Sequence, residues 1–299
     1  MLRIPLSAVG HYHPNPTLHL EEVAEVFEQL RTEFDTKPPK HGSTIAWLAH
    51  FDILKYVIMS GFSSALIVED DVDWDFRLKA QLQLVSDQIR NLTNPSGADQ
   101  SPYGTAWDVL WIGHRGDRPE SPAAYAQYLD DSHVLTHNYN GWSKSSLIQF
   151  IPEGLRRIQQ TVQPVCTFGY AVTSAGAQII LTILSAGKDE AYDVALQHLC
   201  GKQELRCYSV IPELMYHYQP LESSEYVSET NELSGGGASA SDDVLEKTMG
   251  ETRNIVESAQ CRFVIMLETV IRDTTKQSVV TNVNNAIFVV AISADSALI

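Results

Sequence analysis

Ala65-Leu66-Ile67-Val68-Glu69-Asp70-Asp71-Val72-Asp73-Trp74-Asp75 joins a short apolar run to five acids in seven residues. The run beginning at Ser64 is short, aliphatic and uninterrupted, which reads as a buried strand. In an open α/β sheet, ligands bind beyond the carboxyl ends of the strands. Carboxylates crowded there repel one another unless a cation neutralises them. Hard oxygen ligands suit Mg2+ or Mn2+, and either ion can also bridge a substrate diphosphate. A solvated acidic turn is the plainer reading, but a turn needs no such density of charge.

Helical and strand patterns alternate outward from this stretch. Ser43 to about Ser60 reads as a helix, with Ser43 as N-cap, Gly61 as stop, and Trp47, Phe51, Leu54 and Ile58 as its apolar stripe. Before it, Leu18 to Phe34 has helical spacing, which Lys37-Pro38-Pro39-Lys40 breaks. Downstream, the pattern predicts a helix over Phe76 to Leu92 and a loop over Asn94 to Tyr103. Buried strands follow at Trp107 to Ile112 and Val165 to Thr173. Helices are expected from Ser174, as cap, to Ala186 and from Ala191 to Cys200, then a short strand from Arg206 to Ile211. Residues 114–164 look irregular, with one helix over Glu153 to Gln160. This alternation predicts an α/β layered domain with a mostly parallel sheet over residues 43–220.

The flanks differ in texture. Residues 1–42 form an atypical N-terminal segment. Residues 221–245 are rich in Ser, Glu and Gly, include Gly235-Gly236-Gly237, and read as a flexible linker. Residues 246–299 form a tail of uncertain structure, and the apolar runs after Phe263 are expected to lack a consistent place in the core.

Lys and Arg total 21 against 37 Asp and Glu, a formal net charge of -16. Such a chain repels polyanions, which sets nucleic acid aside as a partner. No apolar run is long enough for a membrane-spanning helix. The four cysteines match no common zinc spacing. Cys200 and Cys207 could pair in an oxidising compartment, but buried free thiols are the favoured reading.

Three families place acids after such a strand. Receiver domains need a phosphate-accepting Asp at the end of a strand further on, where this chain has Gly113. Aspartate-based phosphatases need Asp-x-Asp-x-Thr, and Asp71-Val72-Asp73-Trp74-Asp75 lacks the Thr. The third keeps its pattern. Residues 43–220 resemble glycosyltransferase family 25, particularly its fungal members, related to lipooligosaccharide and collagen galactosyltransferases. Ala46-Trp47-Leu48-Ala49-His50-Phe51 resembles the family's helix with a Ser-His pair. Ala65 to Val72 resembles its metal motif, with a Trp-Asp extension. Trp107 to His114, Phe168 to Gln178, Asp193, and Val210 to Leu214 resemble later blocks in the same order. The family's opening strand and Arg-rich turn have no counterpart in residues 1–42, so the resemblance implies a fold that lacks the family's N-terminal nucleotide-binding strand.

The resemblance implies a GT-A-like, Rossmann-like nucleotide-diphospho-sugar transferase sandwich. It implies an inverting transfer of a hexose, galactose foremost, from a UDP-sugar to a hydroxyl of a glycan or protein acceptor, with Mn2+ or Mg2+. Glu69 and Asp70 would sit at the donor site, with Asp71 as metal ligand. Inversion requires a carboxylate to deprotonate the acceptor hydroxyl, and Asp193 is the candidate base; its plain reading is an acid in a helix's first turn. His217 would complete the metal shell, and its plain reading is an exposed imidazole beside Tyr216 and Tyr218. His50 reads as a hydrogen-bonded core residue. The competing expectation is a non-catalytic relative that kept the sheet and lost donor binding. The family suggests a Golgi or endoplasmic-reticulum lumen.

Overall fold

The computed structural model describes residues 7–11, 20–32, 40–69, 72–97, 99, 101–119, 124–185, 191–217, 254–259 and 288–292. The strands are β1 (Ser7–His11), β2 (Ser64–Val68), β3 (Val72–Trp74), β4 (Val109–Gly113), β5 (Tyr125–Leu129), β6 (Leu155–Gln160), β7 (Gly169–Thr173), β8 (Cys207–Ile211), β9 (Met215–His217) and β10 (Phe288–Ile292). The helices are α1 (Leu20–Thr32), α2 (His41–Met59), α3 (Leu78–Thr93), α4 (Lys144–Phe150), α5 (Ser174–Leu184) and α6 (Tyr192–Gly201). The main path through the sheet is β1-β10-β2-β7-β4-β8-β6-β5, and β3 and β9 pair beside it. This is a mixed α/β architecture, compatible with a Rossmann-like glycosyltransferase fold.

Alternation sorts the side chains of the central strands onto two faces. Ala65 and Ile67 of β2, Val109 and Trp111 of β4, and Tyr170 and Val172 of β7 face the helices α2, α5 and α6. Leu66, Val68, Leu110, Ile112 and Ala171 face the other way, onto the Leu82, Val85 and Ile89 stripe of α3. Strands covered on both faces must be apolar at every position, which is why β2 and β4 lack polar alternation. Trp47, Phe51 and Leu54 bury the expected stripe of α2, and Val57 joins them.

Four expectations are corrected. The sheet is mostly antiparallel: among its described pairings, β4 runs parallel to β8 and to β9, and the others are antiparallel. A doubly covered strand reads the same in either direction, so the sequence carried no sign of β7's reversal. Leu155–Gln160 is a strand between β5 and β8, where a helix was expected. Its two arginines are held by cross-strand partners. Arg156 pairs with Asp130 at 2.7 Å, and Arg157 lies over the Tyr125 ring at 3.7 Å. Cys200 and Cys207 form a disulfide linking the end of α6 to the start of β8. Finally, Phe288–Ile292 has a place in the sheet, antiparallel to β2.

Smaller differences concern caps. Thr173 caps α5, its hydroxyl accepting from Gly176 N at 3.0 Å, and α2 starts before Ser43, after Lys40. The expected linker over 221–245 lies outside the described residues. No helix among the described residues is long and apolar enough to cross a membrane.

Candidate functional site

β7 runs antiparallel to both β2 and β4, and β4 is parallel to β8. The carboxyl ends of β2, β4 and β8 therefore share one sheet edge with the amino end of β7. Glu69, Gly113-His114 and Pro212-Glu213 leave the sheet there, and Thr167-Phe168 enters it. Gly113 and Gly169 are paired so closely that a Cβ on Gly113 would sit 2.7 Å from Gly169 N. A side chain at Gly113 would push this edge apart, and one at Gly169 would meet the Met215 sulfur.

Glu69 follows β2 directly. Its backbone N–H donates to Phe168 O at 3.1 Å, and its Oε1 accepts from the Thr167 hydroxyl at 2.7 Å. His50 Nε2 stands 3.8 Å from the same oxygen. Asp70 and Asp71 lie outside the described residues. Val72 pairs with His217 across β3 and β9. Residues 70 and 71 are thus flanked along the chain by Glu69 on one side and by Val72, the partner of His217, on the other. The His217 ring stacks on Phe168, centroids 5.5 Å apart.

The remaining acids of the stretch turn inward. Asp73 is buried, and its Oδ1 accepts from Trp74 N at 2.7 Å. Asp75 is buried too. Burial opposes its ionisation, but hydrogen bonds from Arg77 and from the Glu257 backbone hold its carboxyl below the ordinary value. Those two residues are structural anchors, so part of the acid density of the stretch serves the fold.

Asp193 lies in the first turn of α6. Its Oδ2 accepts from Cys166 N at 2.9 Å, so the helix-terminal reading of this residue and its proximity to the edge hold together. Cys166 has a left-handed backbone, φ 68°, uncommon for a residue other than glycine. Its carbonyl accepts from Trp111 Nε1 at 3.1 Å, so groups on both sides fix it. Asp193 and Glu69 are therefore tied to adjacent residues, Cys166 and Thr167.

Sequence reading missed two features. Tyr170 and Tyr192, buried behind Glu69, surround His50: His50 Nδ1 lies 3.1 Å from Tyr170 Oη, Tyr170 Oη lies 3.1 Å from Tyr192 Oη, and the His50 and Tyr192 rings stack at 4.2 Å. Burial pushes the His50 imidazole down to about 3. The second is Glu213, which follows β8. It accepts from Tyr139 Oη at 2.9 Å and Asn254 Nδ2 at 2.7 Å, and burial raises its carboxyl above the ordinary value. Asn254 also bonds both the N–H and the carbonyl of Asn140. Nothing in the sequence placed Asn254 near Glu213; in the expected organisation a linker separates them. A cleft of about 470 Å³ beside Asn138, Lys144 and Asn254 includes none of Glu69, Asp193 and His217 among its described lining residues.

Among the described residues, no three His, Cys, Asp or Glu side chains converge as a metal site. Of the described side chains beside residues 70 and 71, the Glu69 carboxylate is of the type that suits Mg2+ or Mn2+, and the His217 imidazole is of the type that suits softer divalent metals.

No family model matches the chain. It is similar to procollagen galactosyltransferase 2 of Homo sapiens, 21% identical over 218 residues, which cover 69% of this chain and 29% of that protein. Procollagen galactosyltransferase 1 of Danio rerio is 20% identical over 206 residues, 65% of this chain and 28% of that protein. The Mus musculus procollagen galactosyltransferase 2 is 21% identical, again with 29% of its length covered. The match thus spans less than a third of each relative. This distant likeness supports a glycosyltransferase-like protein.

Proposed function

We propose that the chain is an inverting glycosyltransferase that moves a hexose, galactose foremost, from a UDP-sugar to a hydroxyl of a glycan or protein acceptor. The observation that carries the reading is the flanking of Asp70 and Asp71 in the chain by Glu69 and by the Val72–His217 pair at one sheet edge. In this reading Glu69 and Asp70 hold the donor, and Asp71 and His217 hold Mn2+ or Mg2+. The metal, when bound, neutralises charge on the departing diphosphate. Asp193 accepts the proton of the acceptor hydroxyl; its contact with Cys166 N occupies one oxygen and aims the carboxylate. The procollagen galactosyltransferases it resembles suggest galactose and a protein-borne hydroxyl. The Cys200–Cys207 disulfide fits an oxidising compartment such as the secretory lumen.

Titration calorimetry with UDP and Mn2+ tests the proposal. The parent should bind UDP only when Mn2+ is present, and Asp71→Ala should abolish that binding while melting as the parent does without metal. Relief of repulsion among crowded carboxylates would keep its stability level or slightly higher. An Asp71→Ala protein that melts several degrees lower yet binds UDP like the parent removes Asp71 from the metal site. A folded parent that binds no UDP removes the donor reading.

A further inference from the structure

The buried groups behind Glu69 form a hydrogen-bond chain whose direction can be derived. Glu69, as a carboxylate, can only accept. The Thr167 hydroxyl spends its one hydrogen on Glu69 Oε1, at 2.7 Å. Toward His50 Nε2, 3.4 Å away, Thr167 can then only accept, so the ring hydrogen sits on Nε2. Burial keeps the imidazole neutral, with a value of about 3, which leaves Nδ1 bare. Nδ1 therefore accepts from the Tyr170 hydroxyl at 3.1 Å. Tyr170 Oη in turn accepts from Tyr192 Oη, also at 3.1 Å. Each proton position is set by the one before it, starting at the carboxylate.

We propose that His50 is a positioning residue, locked as the Nε2–H tautomer in a one-way chain from Tyr192 through Tyr170, His50 and Thr167 that fixes Glu69 for donor binding. The role assigned to Glu69 rests on the proposed function; the direction of the chain does not. Four elements contribute: His50 from α2, Thr167 from the segment before β7, Tyr170 from β7, and Tyr192 from the start of α6. The chain also reaches Asp193's neighbourhood, because Tyr192 precedes Asp193 and Thr167 follows the Cys166 that Asp193 binds. The orientation of the donor-side carboxylate and the placement of the candidate base are thereby set by one connected unit. Such a unit gives Glu69 a single orientation before any ligand arrives, which lowers the cost of binding.

The tautomer is read by long-range 1H–15N NMR on protein labelled at histidine. The chain has ten histidines, so the His50 signals are assigned by their loss in His50→Gln. The expected pattern is a protonated Nε2 and an unprotonated Nδ1. A protonated Nδ1, in either the neutral or the cationic ring, overturns the chain. The positioning role is read by calorimetry with UDP and Mn2+. Thr167→Val keeps the shape and deletes the bridging hydroxyl; it should weaken UDP binding about tenfold and, because buried groups lose a partner, lower the melting temperature by a few degrees while the protein stays folded. Thr167→Ser should restore affinity. Unchanged UDP affinity in a folded Thr167→Val, or no recovery in Thr167→Ser, overturns the positioning role. A parent that binds no UDP defeats the proposed function instead, and the tautomer, read on the free protein, still decides the direction of the chain.

Discussion

Acidification should destabilise this fold through His50 by an amount that can be worked out. Burial pushes its imidazole from 6.5 down to about 3. The ring is stacked on Tyr192 at 4.2 Å and surrounded by neutral groups on most sides. A depressed folded-state value means that the unfolded chain takes up a proton as pH falls through about 6.5, while the folded chain waits until about 3. The stabilisation is complete above the unfolded value and is lost progressively as pH falls toward the folded one. The slope approaches about 1.4 kcal/mol per pH unit, so between pH 7 and pH 4 roughly 3 kcal/mol disappears. Glu69 Oε1, 3.8 Å from Nε2, would attract an imidazolium and trims this figure. A domain of ordinary stability has about 5–15 kcal/mol in total, so the effect is large enough to measure. Urea unfolding of the parent and of His50→Gln at both pH values isolates it, because titrating carboxylates contribute equally to the two proteins. The variant's deficit at pH 7 should shrink by about 3 kcal/mol at pH 4. A deficit that stays the same within about 0.5 kcal/mol, a typical limit for resolving such differences, would refute the claim that His50 is neutral in the fold.

Two further outcomes concern side chains that bridge distant segments. Asp193→Asn keeps an oxygen for Cys166 N and should melt like the parent while losing turnover of UDP-galactose; Asp193→Ala should also lose about 1–3 kcal/mol of stability, because that N–H is left without its acceptor. Retained turnover in Asp193→Asn would remove it as the base. Asn254→Ala deletes the bonds to Glu213 and to both backbone groups of Asn140 and should cost about 2–3 kcal/mol in urea unfolding. A protein cut within 221–245 should retain the fragment carrying Asn254, and clean separation of a stable piece ending before residue 245 would contradict that.

The legible part of the fold was the part whose physics is local. The two faces of β2 and β4, the stripe of α2 and the boundaries of α5 and α6 arise from apolar runs, helical spacing and stop residues, and the structure places them within a few positions of the expected ends. Strand direction was not legible, because β7 is covered on both faces and an apolar run has no polarity. β6 was misread because Leu155 and Ile158 stand three apart, as on a helix, while the partners that make it a strand, Asp130 and Tyr125, lie about 30 residues upstream. The acidic stretch was legible as a unit and illegible residue by residue. Glu69 belongs to the edge, whereas Asp75 is committed to Arg77 and Asp73 accepts from the Trp74 N–H; nothing in a run of acidic side chains separates these fates. His50 shows the complementary case. Its place on an apolar helical face marked it as a hydrogen-bonded core residue, and that reading is right, yet its bonds run to Thr167 and through it to Glu69. A buried histidine whose hydrogen bonds end on a carboxylate at a sheet edge is a core residue by environment and part of the site by connectivity. The connectivity spans more than a hundred residues of chain, so only the fold could reveal it.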